Sequence, residues 1–472
     1  MATTKQFLRY ASPNEQRTIS REDAGYYFAV IVGAVYQLSD GIATNVPESF
    51  FDPLRYCLEK HTWLNVTVGD KHTDKAFYER VPRVDLASHV DIVRDVKAGE
   101  NDSAAIEELL RQNLDRPFPP GIPPWRIVVL PLGPAQCFIA FAYSHMICDG
   151  PSGQAFHRTF LEGLRNASET TISVGSIVET IERPLPEPFD TPSRLPISWS
   201  FLLAPLIATF LPRFLVNLLG LKAQASTTDE GTWLGSRIFF DPKTSRSKIR
   251  LREIEAPLLD NAIRVARKHD AKLTGALQQL ITRALSRALP DPSITNFVTQ
   301  TAVNMRNSVG TPRDEMGEFA SGCYVVHLRD ESSGPFSEAS WEAARQATRK
   351  LAECAATLQD QAIGLLRYLP SIRKWTRGKI GQRRDCSIEI SNIGVFDSNP
   401  DSGPPPRITK VVFTQPGHVT GPPLAFNFAS VKGGGLVYTV TWQAGALGIS
   451  GDEERFVDEV CSSLEADFKQ LE

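Results

Sequence analysis

The sequence predicts a mixed α/β fold in two halves, and three observations support this prediction. The chain has 472 residues, which is more than one ordinary hydrophobic core organises, so two domains of about 200 residues each are expected. Runs rich in β-branched and aromatic residues alternate with helically periodic segments along the chain. Residues 183–196 carry five prolines and read as a linker. We therefore predict domains over 1–182 and 225–472, joined by a crossover over 183–224.

The first half contains two predicted strand regions and a helix. Residues 26–38 and 124–145 are rich in β-branched and aromatic residues, and a Gly-Pro turn at 133–134 breaks the second region. Its last part, 136–145, has the continuous apolar character of a strand buried on both faces. The following segment, QAFHRTFLEGL, repeats apolar residues at helical spacing. The stretch 144–150, SHMICDG, therefore lies in a turn from strand to helix.

The second half repeats the mixed pattern. It begins with two helices over 256–269 and 273–289, and Thr274 is the predicted cap of the second helix. The remaining elements predicted in this half are strands at 296–303, 323–329, 386–391, 424–431 and 435–444, and a long helix near 337–358.

Composition excludes several classes of function. Hydrophobic residues make up 42% of the chain, charged residues 22%, and the formal net charge is −3, so a nucleic-acid partner is not expected. The seven cysteines stand singly, without a CxxC pair or metal-ligand spacing, which predicts reduced thiols and no metal site. The N-terminus lacks the apolar core of a secretory signal, so we expect a cytoplasmic protein.

The segment 199–221, WSFLLAPLIATFLPRFLVNLLGL, is nearly long enough to span a bilayer. Pro205, Pro212 and Arg213 interrupt it, which favours short helices over one continuous span. Core or lid helices are the favoured interpretation. A role at a membrane surface, at a lipid droplet or against an acyl chain stays open.

Common nucleotide-binding and hydrolase motifs are missing from the sequence. It contains no GxxxxGK[ST], no GxGxxG after a strand and no GxSxG, which removes the support for phosphate-loop, dinucleotide-binding and nucleophile-elbow enzymes. Cys148, between apolar neighbours, is more typical of packing than of a nucleophile.

The histidine and aspartate of the turn are the candidate chemical groups. Asp149 could cap the following helix, with Pro151 in its first turn and Gly150 permitting a close approach. His145 could take a proton near neutral pH, as deprotonating a hydroxyl requires. Spacing alone leaves a catalytic base and a satisfied structural histidine as equal alternatives.

The segment His145-Met-Ile-Cys-Asp149-Gly150 resembles the HxxxDG motif of a superfamily of acyltransferases. This superfamily includes chloramphenicol acetyltransferase, peptide-synthetase condensation domains, polyketide-associated acyltransferases and fungal alcohol acetyltransferases. Two further elements follow in family order, Asn304-Met305-Arg306 and Ser391-Asn392-Ile393-Gly394. The chain is most similar to the fungal alcohol acetyltransferases, and the DFGWG element of the plant-type branch is absent.

The resemblance implies a fold of two chloramphenicol-acetyltransferase-like lobes, each a mixed sheet flanked by helices, with an active-site tunnel between them. It implies transfer of an acyl group from a thioester, with acyl-CoA as co-substrate, to an alcohol in secondary or ester metabolism. No acyl-enzyme and no permanently bound cofactor are expected. His145 would be the general base, and Asp149 a structural brace paired with Arg306. Asn304, Ser391 and Asn392 either contact the thioester or only form turns.

A basic run at 373–384 carries six Lys and Arg residues. Its members Arg373, Lys374, Arg377 and Lys379 could meet the phosphates of coenzyme A, a carrier protein or an anionic membrane, although such runs are usually solvated.

Two rival functions stay open at this point. One is an enzyme that takes its acyl chain from a polyketide or peptidyl carrier protein, with an alcohol or an amine as acceptor. The other is a catalytically silent module that binds a lipid or a carrier protein. We expect a monomer in each case.

Overall fold

The computed structural model describes residues 5–94, 101–166, 175–210, 215, 227–397 and 404–471. Its N-terminal half alternates strands and helices. The strands are β1 Gln6–Tyr10, β2 Ala29–Gln37, β3 Val66–Gly69, β4 Phe77–Arg80, β5 Arg83–Asp85, β6 Val90–Ile92, β7 Trp125–Gly133, β8 Gln136–Ser144 and β9 Ile177–Glu179. The helices are α1 Pro13–Asp23, α2 Phe51–Lys60, α3 Asp102–Leu114, α4 Gly150–Asn166 and α5 Trp199–Phe210.

The C-terminal half has the same mixed composition. Its strands are β10 Ser247–Ile254, β11 Asn296–Asn304, β12 Ala320–Leu328, β13 Ile388–Phe396, β14 Arg407–Thr414, β15 Leu424–Val431 and β16 Leu436–Gln443. Its helices are α6 Ala256–Lys268, α7 Leu273–Ala288, α8 Glu338–Ala356, α9 Ile372–Gly378 and α10 Glu453–Phe468.

Two large sheets define two lobes. The N-terminal lobe is built on a five-stranded sheet of order β14-β2-β8-β7-β6, and the C-terminal lobe on a six-stranded sheet of order β10-β16-β15-β13-β11-β12. In the second sheet β13 runs parallel to both β11 and β15, whereas the other pairs are antiparallel. The predicted mixed α/β fold with two lobes is therefore confirmed.

The first sheet is buried on both faces, as its continuous apolar strands predict. Side chains alternate between faces along a strand, so Phe141 faces α4, where its ring stacks on Phe156 at a centroid distance of 3.8 Å. Ala140 and Ala142 belong to the core on the other face, which α3 shares with Ile249 of the C-terminal lobe. Burial on both faces leaves the end of β8 as a rigid base for the residues that follow it.

One strand crosses between the lobes. Residues of β14 pair antiparallel with β2, from Arg407 opposite Gln37 to Thr414 opposite Ile31. This strand lies within 225–472, the segment predicted to form the C-terminal domain, but it extends the N-terminal sheet. Because edge pairing depends on which strand reaches an open backbone edge, the local sequence of β14 does not reveal its partner.

The second helix predicted in the C-terminal half, α7, starts differently from its prediction. The residue before α7 is Lys272, in extended conformation, and no side chain caps the helix. Thr274 lies inside the first turn, where its hydroxyl accepts a hydrogen bond from Asn392 Nδ2 at 3.3 Å. The prediction that Thr274 caps the helix is wrong, because the cap position is Lys272, two residues earlier.

The apolar segment 199–221 is helical over Trp199–Phe210 and includes Pro205. Pro212 and Arg213 lie outside the described residues. Trp199, Leu203 and Ile207 are all exposed, at a spacing of four residues. Within the described part of the chain, no helix combines the length and apolarity needed to cross a bilayer.

Candidate active site

The turn after β8 is held by its own side chains. Asp149 Oδ1 accepts hydrogen bonds from the backbone N–H of Ser152 at 3.2 Å and from its hydroxyl at 2.7 Å, so it caps α4 as predicted. The Tyr143 hydroxyl donates to the carbonyl oxygen of Asp149 at 2.7 Å. These bonds fix the backbone between the last residue of β8 and the first turn of α4.

Asp149 also forms a buried ion pair with Arg306. The guanidinium nitrogens Nη1 and Nη2 donate to Oδ2 and Oδ1, each at 2.8 Å, and both side chains are almost fully buried. Burial opposes ionisation of the carboxyl group, but the charge and hydrogen bonds of Arg306 hold the pKa of Asp149 below its ordinary value. The ion pair predicted from the sequence is therefore present, and it joins the two lobes.

The ion pair organises the loop that precedes β12. Arg306 Nε donates to the carbonyl oxygen of Glu315 at 2.9 Å. The backbone N–H of Phe319 donates to Asp149 Oδ2 at 3.0 Å, and the N–H of Asp149 donates to the carbonyl oxygen of Gly317 at 3.1 Å. The loop from Glu315 to Phe319 is thus fastened to the start of α4, although the two are far apart in the sequence.

That loop places a carboxylate beside His145. Glu318 Oε2 lies 2.7 Å from His145 Nδ1, and the side chains are 3% and 18% exposed. The ring of Tyr27 packs against the imidazole at a centroid distance of 5.6 Å. Glu318 was not predicted from the sequence, where its one signal is an acidic residue in the apolar stretch MGEFA.

His145 lines a cavity of about 470 Å³ between the lobes. The N-terminal lobe contributes Arg17 and Arg21 of α1 to the wall, and β11, β12 and β13 of the C-terminal lobe also line the cavity. An apolar side comes from the short helix Ala362–Tyr368 and the residue after it; its members are Ala362, Ile363, Leu365, Leu366 and Leu369. A cavity with one apolar side and a few convergent polar groups is typical of a small-molecule site.

A buried polar cluster forms the part of the cavity next to Tyr27. The Tyr27 hydroxyl donates to Gln415 Oε1, and Gln415 Nε2 donates to Glu389 Oε1, both at 2.7 Å. Arg21 Nη2 donates to His418 Nδ1 at 3.0 Å. Burial lowers the pKa of His418 to about 4, so its imidazole is neutral at physiological pH. Sequence reasoning did not single out any member of this cluster.

Three predicted substrate-binding residues do not line the cavity. Asn304 Oδ1 accepts a hydrogen bond from the backbone N–H of Arg306 at 3.1 Å, which supports the ion pair. Asn392 Oδ1 accepts from the N–H of Gly394 at 2.8 Å and forms the turn. The Ser391 hydroxyl donates to Glu389 Oε1 at 3.1 Å and accepts from Gln415 Nε2 at 3.2 Å, so it supports two residues of the cavity wall. These three residues were predicted either to contact the thioester or to form turns, and the hydrogen bonds observed here are those of turns and of support for neighbouring side chains.

The basic run is only partly at the cavity. Lys379 lines the cavity, where its ammonium lies 2.8 Å from Asp385 and over the ring of Trp375. Arg373 pairs with Asp23 of α1, and Arg377 Nη2 lies 3.9 Å from the same carboxylate. Lys374 is exposed. Two of the four predicted contacts to coenzyme A are therefore engaged with the N-terminal lobe.

Gly150 allows the start of α4 to pack closely against β13 and β14. A Cβ atom on Gly150 would lie 2.8 Å from Ile393 Cγ2 and 3.1 Å from Phe413 Cζ. These contacts press the start of α4 against β13 and β14. Gly394, by contrast, has a φ of 82° and is needed for its conformation.

We expect Gly150→Val to lower the free energy of unfolding by about 1–3 kcal/mol, because the branched side chain would overpack this contact. Thermal unfolding of purified protein measures the effect. Gly378→Ala is the matched control, since a Cβ there meets open space. Equal melting temperatures for the two variants would contradict the prediction.

Solved structures of similar fold cover nearly the whole chain. The trichothecene 15-O-acetyltransferase TRI3 from Fusarium sporotrichioides matches with a TM-score of 0.66 and 11% identity, over 99% of this chain and 96% of that chain. The condensation domain of the monacolin K polyketide synthase MokA matches with a TM-score of 0.63 and 13% identity, over 99% and 98%. The protein thus has the condensation-like fold of two chloramphenicol-acetyltransferase-like lobes.

Sequence comparison identifies the family within that fold. The family model for alcohol acetyltransferases matches residues 96–468. The probable alcohol acetyltransferase crmB of Aspergillus fumigatus is 22% identical over 471 residues, covering 92% of this chain and 94% of that protein. The probable alcohol acetyltransferase FCK4 of Fusarium pseudograminearum is 24% identical over 392 residues, covering 78% and 76%.

The chain belongs to the alcohol acetyltransferase family. It is an O-acyltransferase, which confirms the resemblance to fungal alcohol acetyltransferases and argues against a catalytically silent binding module. In the described ranges, no cluster of three or more His, Cys, Asp or Glu residues could hold a metal ion.

Proposed function

We propose that the protein transfers an acyl group, such as acetyl, from acyl-CoA to an alcohol, with His145 as the general base. The position of His145 is the observation that carries the proposal. Its ring lines the cavity between the lobes, and its Nδ1 faces the buried carboxylate of Glu318. The other ring nitrogen, Nε2, is then available to a substrate hydroxyl.

The proposed reaction needs no covalent intermediate on the protein. Nε2 of His145 takes the hydroxyl proton while the alcohol oxygen attacks the thioester carbonyl carbon. The tetrahedral intermediate collapses, the C–S bond breaks, and the proton passes from the imidazolium to the departing thiolate. The products are an ester and free coenzyme A, and His145 returns to its starting state. Burial raises the pKa of the Cys148 thiol, which supports a route without a cysteine nucleophile.

The walls of the cavity favour an acceptor with a substantial apolar body. Ile363, Leu366 and Leu369 supply apolar surface, and Gln415 and Glu389 also line the cavity as hydrogen-bonding groups. Burial of apolar surface contributes about 25 cal/mol per Å², so an acceptor that fills the apolar side gains affinity over a short alcohol. Lys379 and Arg17, which also line the cavity, are our candidates for contact with the phosphates of the donor.

The test is incubation of the protein with acetyl-CoA and a series of alcohols of increasing apolar surface. We expect release of free thiol that depends on the acceptor and rises along the series, together with the matching ester in mass spectrometry. A parallel arm offers the acetyl group on a phosphopantetheinyl carrier protein. Transfer from the carrier alone would overturn the proposal that CoA is the donor. Thiol release that no alcohol changes would count against the proposal that an alcohol accepts the acyl group.

A further inference from the structure

Glu318 is a buried carboxylate whose one ion-pair partner among the described residues is His145. Its side chain is 3% exposed, and His145 Nδ1 lies 2.7 Å from Oε2. Among the described residues, neither carboxylate oxygen accepts a hydrogen bond, and His145 Nδ1 has no hydrogen-bond partner either, so the 2.7 Å approach is an ion-pair contact that is not aligned as a hydrogen bond. A buried charge without a partner is strongly unfavourable; the imidazole is the group in direct contact with this carboxylate, and the charges of Arg21 and Arg306 also act on it.

The backbone around Glu318 is fastened on both sides. The N–H of Gly317 donates to the Ser152 hydroxyl at 3.1 Å, and the N–H of Phe319 donates to Asp149 Oδ2 at 3.0 Å. Both acceptors lie at the start of α4, four and seven residues after His145. The direction of the Glu318 side chain is therefore set by the same contacts that set the turn of His145.

The aspartate of the motif does not contact His145. Its two oxygens are already engaged by Arg306, by Ser152 and by the backbone of Phe319. The carboxylate beside the imidazole is therefore that of Glu318, which comes from the other lobe and lies at Nδ1.

We propose that Glu318 is the positioning residue of His145. A small rotation of either side chain aligns Nδ1–H with Oε2, and the carboxylate then accepts a hydrogen bond that keeps Nε2 unprotonated for the substrate hydroxyl. When Nε2 takes the hydroxyl proton, the negative charge of Glu318 stabilises the imidazolium until the proton leaves with the thiolate. Glu318 itself neither gains nor loses a proton. The inference rests on the proposed role of His145 as the base.

The contact between Glu318 and His145 also connects the Asp149–Arg306 ion pair to the proposed proton transfer. Asp149 and Arg306 hold the loop from Glu315 to Phe319, and that loop carries Glu318. A residue pair that never touches substrate can thereby control the orientation of the imidazole.

The test is steady-state kinetics of Glu318→Gln, which keeps the shape of the side chain and removes its charge. We expect kcat to fall about 10- to 100-fold while the KM values of both substrates change less than about twofold. If Glu318→Gln does not fold, Glu318→Met, which offers no oxygen acceptor to Nδ1, is expected to show the same loss of kcat. Asp314→Asn, a carboxylate on the same loop that is 55% exposed and pairs with Arg158, is the matched control and should keep the kcat of the parent.

A double variant separates positioning from a purely structural effect. In a His145→Ala background, Glu318→Gln should change the residual rate by less than about twofold, because the imidazole through which it acts is gone. An unchanged kcat in the single variant, or an undiminished loss in the double variant, would overturn the role of Glu318. If His145→Ala retains full activity, the proposal that His145 is the general base is wrong. That result differs from the results that would overturn the role of Glu318, so the two proposals can fail separately.

Discussion

Replacing His145 with alanine is expected to lower kcat by about 10²- to 10⁴-fold, the usual contribution of a general base. The protein should stay folded, because the imidazole is partly exposed to the cavity and does not belong to a hydrophobic core. The measurement is acceptor-dependent release of thiol from acyl-CoA, with circular dichroism and thermal unfolding to check the fold.

A matched control for this prediction is His72→Ala. His72 is a surface histidine, 71% exposed, that pairs with Asp23 outside the cavity. Its removal should leave kcat close to that of the parent. If the two histidine variants had the same activity, the role of His145 as general base would be wrong.

Replacing Arg306 with alanine is expected to lower the free energy of unfolding by about 3–5 kcal/mol, because it leaves the buried charge of Asp149 without its partner. Both side chains are at most 2% exposed, so water cannot replace the lost hydrogen bonds at little cost. Urea unfolding followed by tryptophan fluorescence measures the change. Activity should fall as well, since Arg306 also holds the loop that carries Glu318.

Arg313→Ala provides the comparison for that prediction. Arg313 is exposed and donates one hydrogen bond, to the carbonyl oxygen of Val395 at 3.2 Å. We expect its loss to change stability by no more than about 0.5 kcal/mol, as is usual for surface positions. Equal stability of the two arginine variants would contradict the role of the ion pair between the lobes.

The two expected results separate a residue needed for turnover from a residue needed for stability. Loss of His145 should remove turnover and spare stability, whereas loss of Arg306 should reduce stability first and turnover as a consequence. This division follows from position: the imidazole faces the cavity, while the guanidinium is enclosed between the lobes.

Much of the turn around His145 was predictable because its signals are local. A continuous apolar run predicted a strand buried on both faces, and the periodicity of the next segment predicted a helix. Asp149 at the junction is a common helix cap, and it caps α4 in the structure. The pairing with Arg306 is a longer-range prediction, and it came from a resemblance in the order of motifs rather than from spacing.

Other features of the site had no local signal. Glu318 follows Met316 and Gly317 in a stretch that resembles the start of an ordinary strand, and nothing nearby in the sequence indicates a histidine as its partner. The resemblance left Asn304 and Asn392 either as contacts to the thioester or as turn-forming residues. In the structure their side chains accept hydrogen bonds from backbone N–H groups of their own turns.

Local sequence was sufficient for the mixed α/β composition, for the turn that presents His145 and for the cap at Asp149, since each depends on periodicity and hydrogen bonds within a few residues. Three-dimensional packing brought Glu318 to the imidazole, gathered Gln415, Glu389 and His418 into one polar cluster, and placed β14 in the sheet of the other lobe. The physical reason is the same in each case. At contacts between the lobes, buried charged groups need partners and open strand edges need hydrogen bonds. Which partners are available depends on the whole fold.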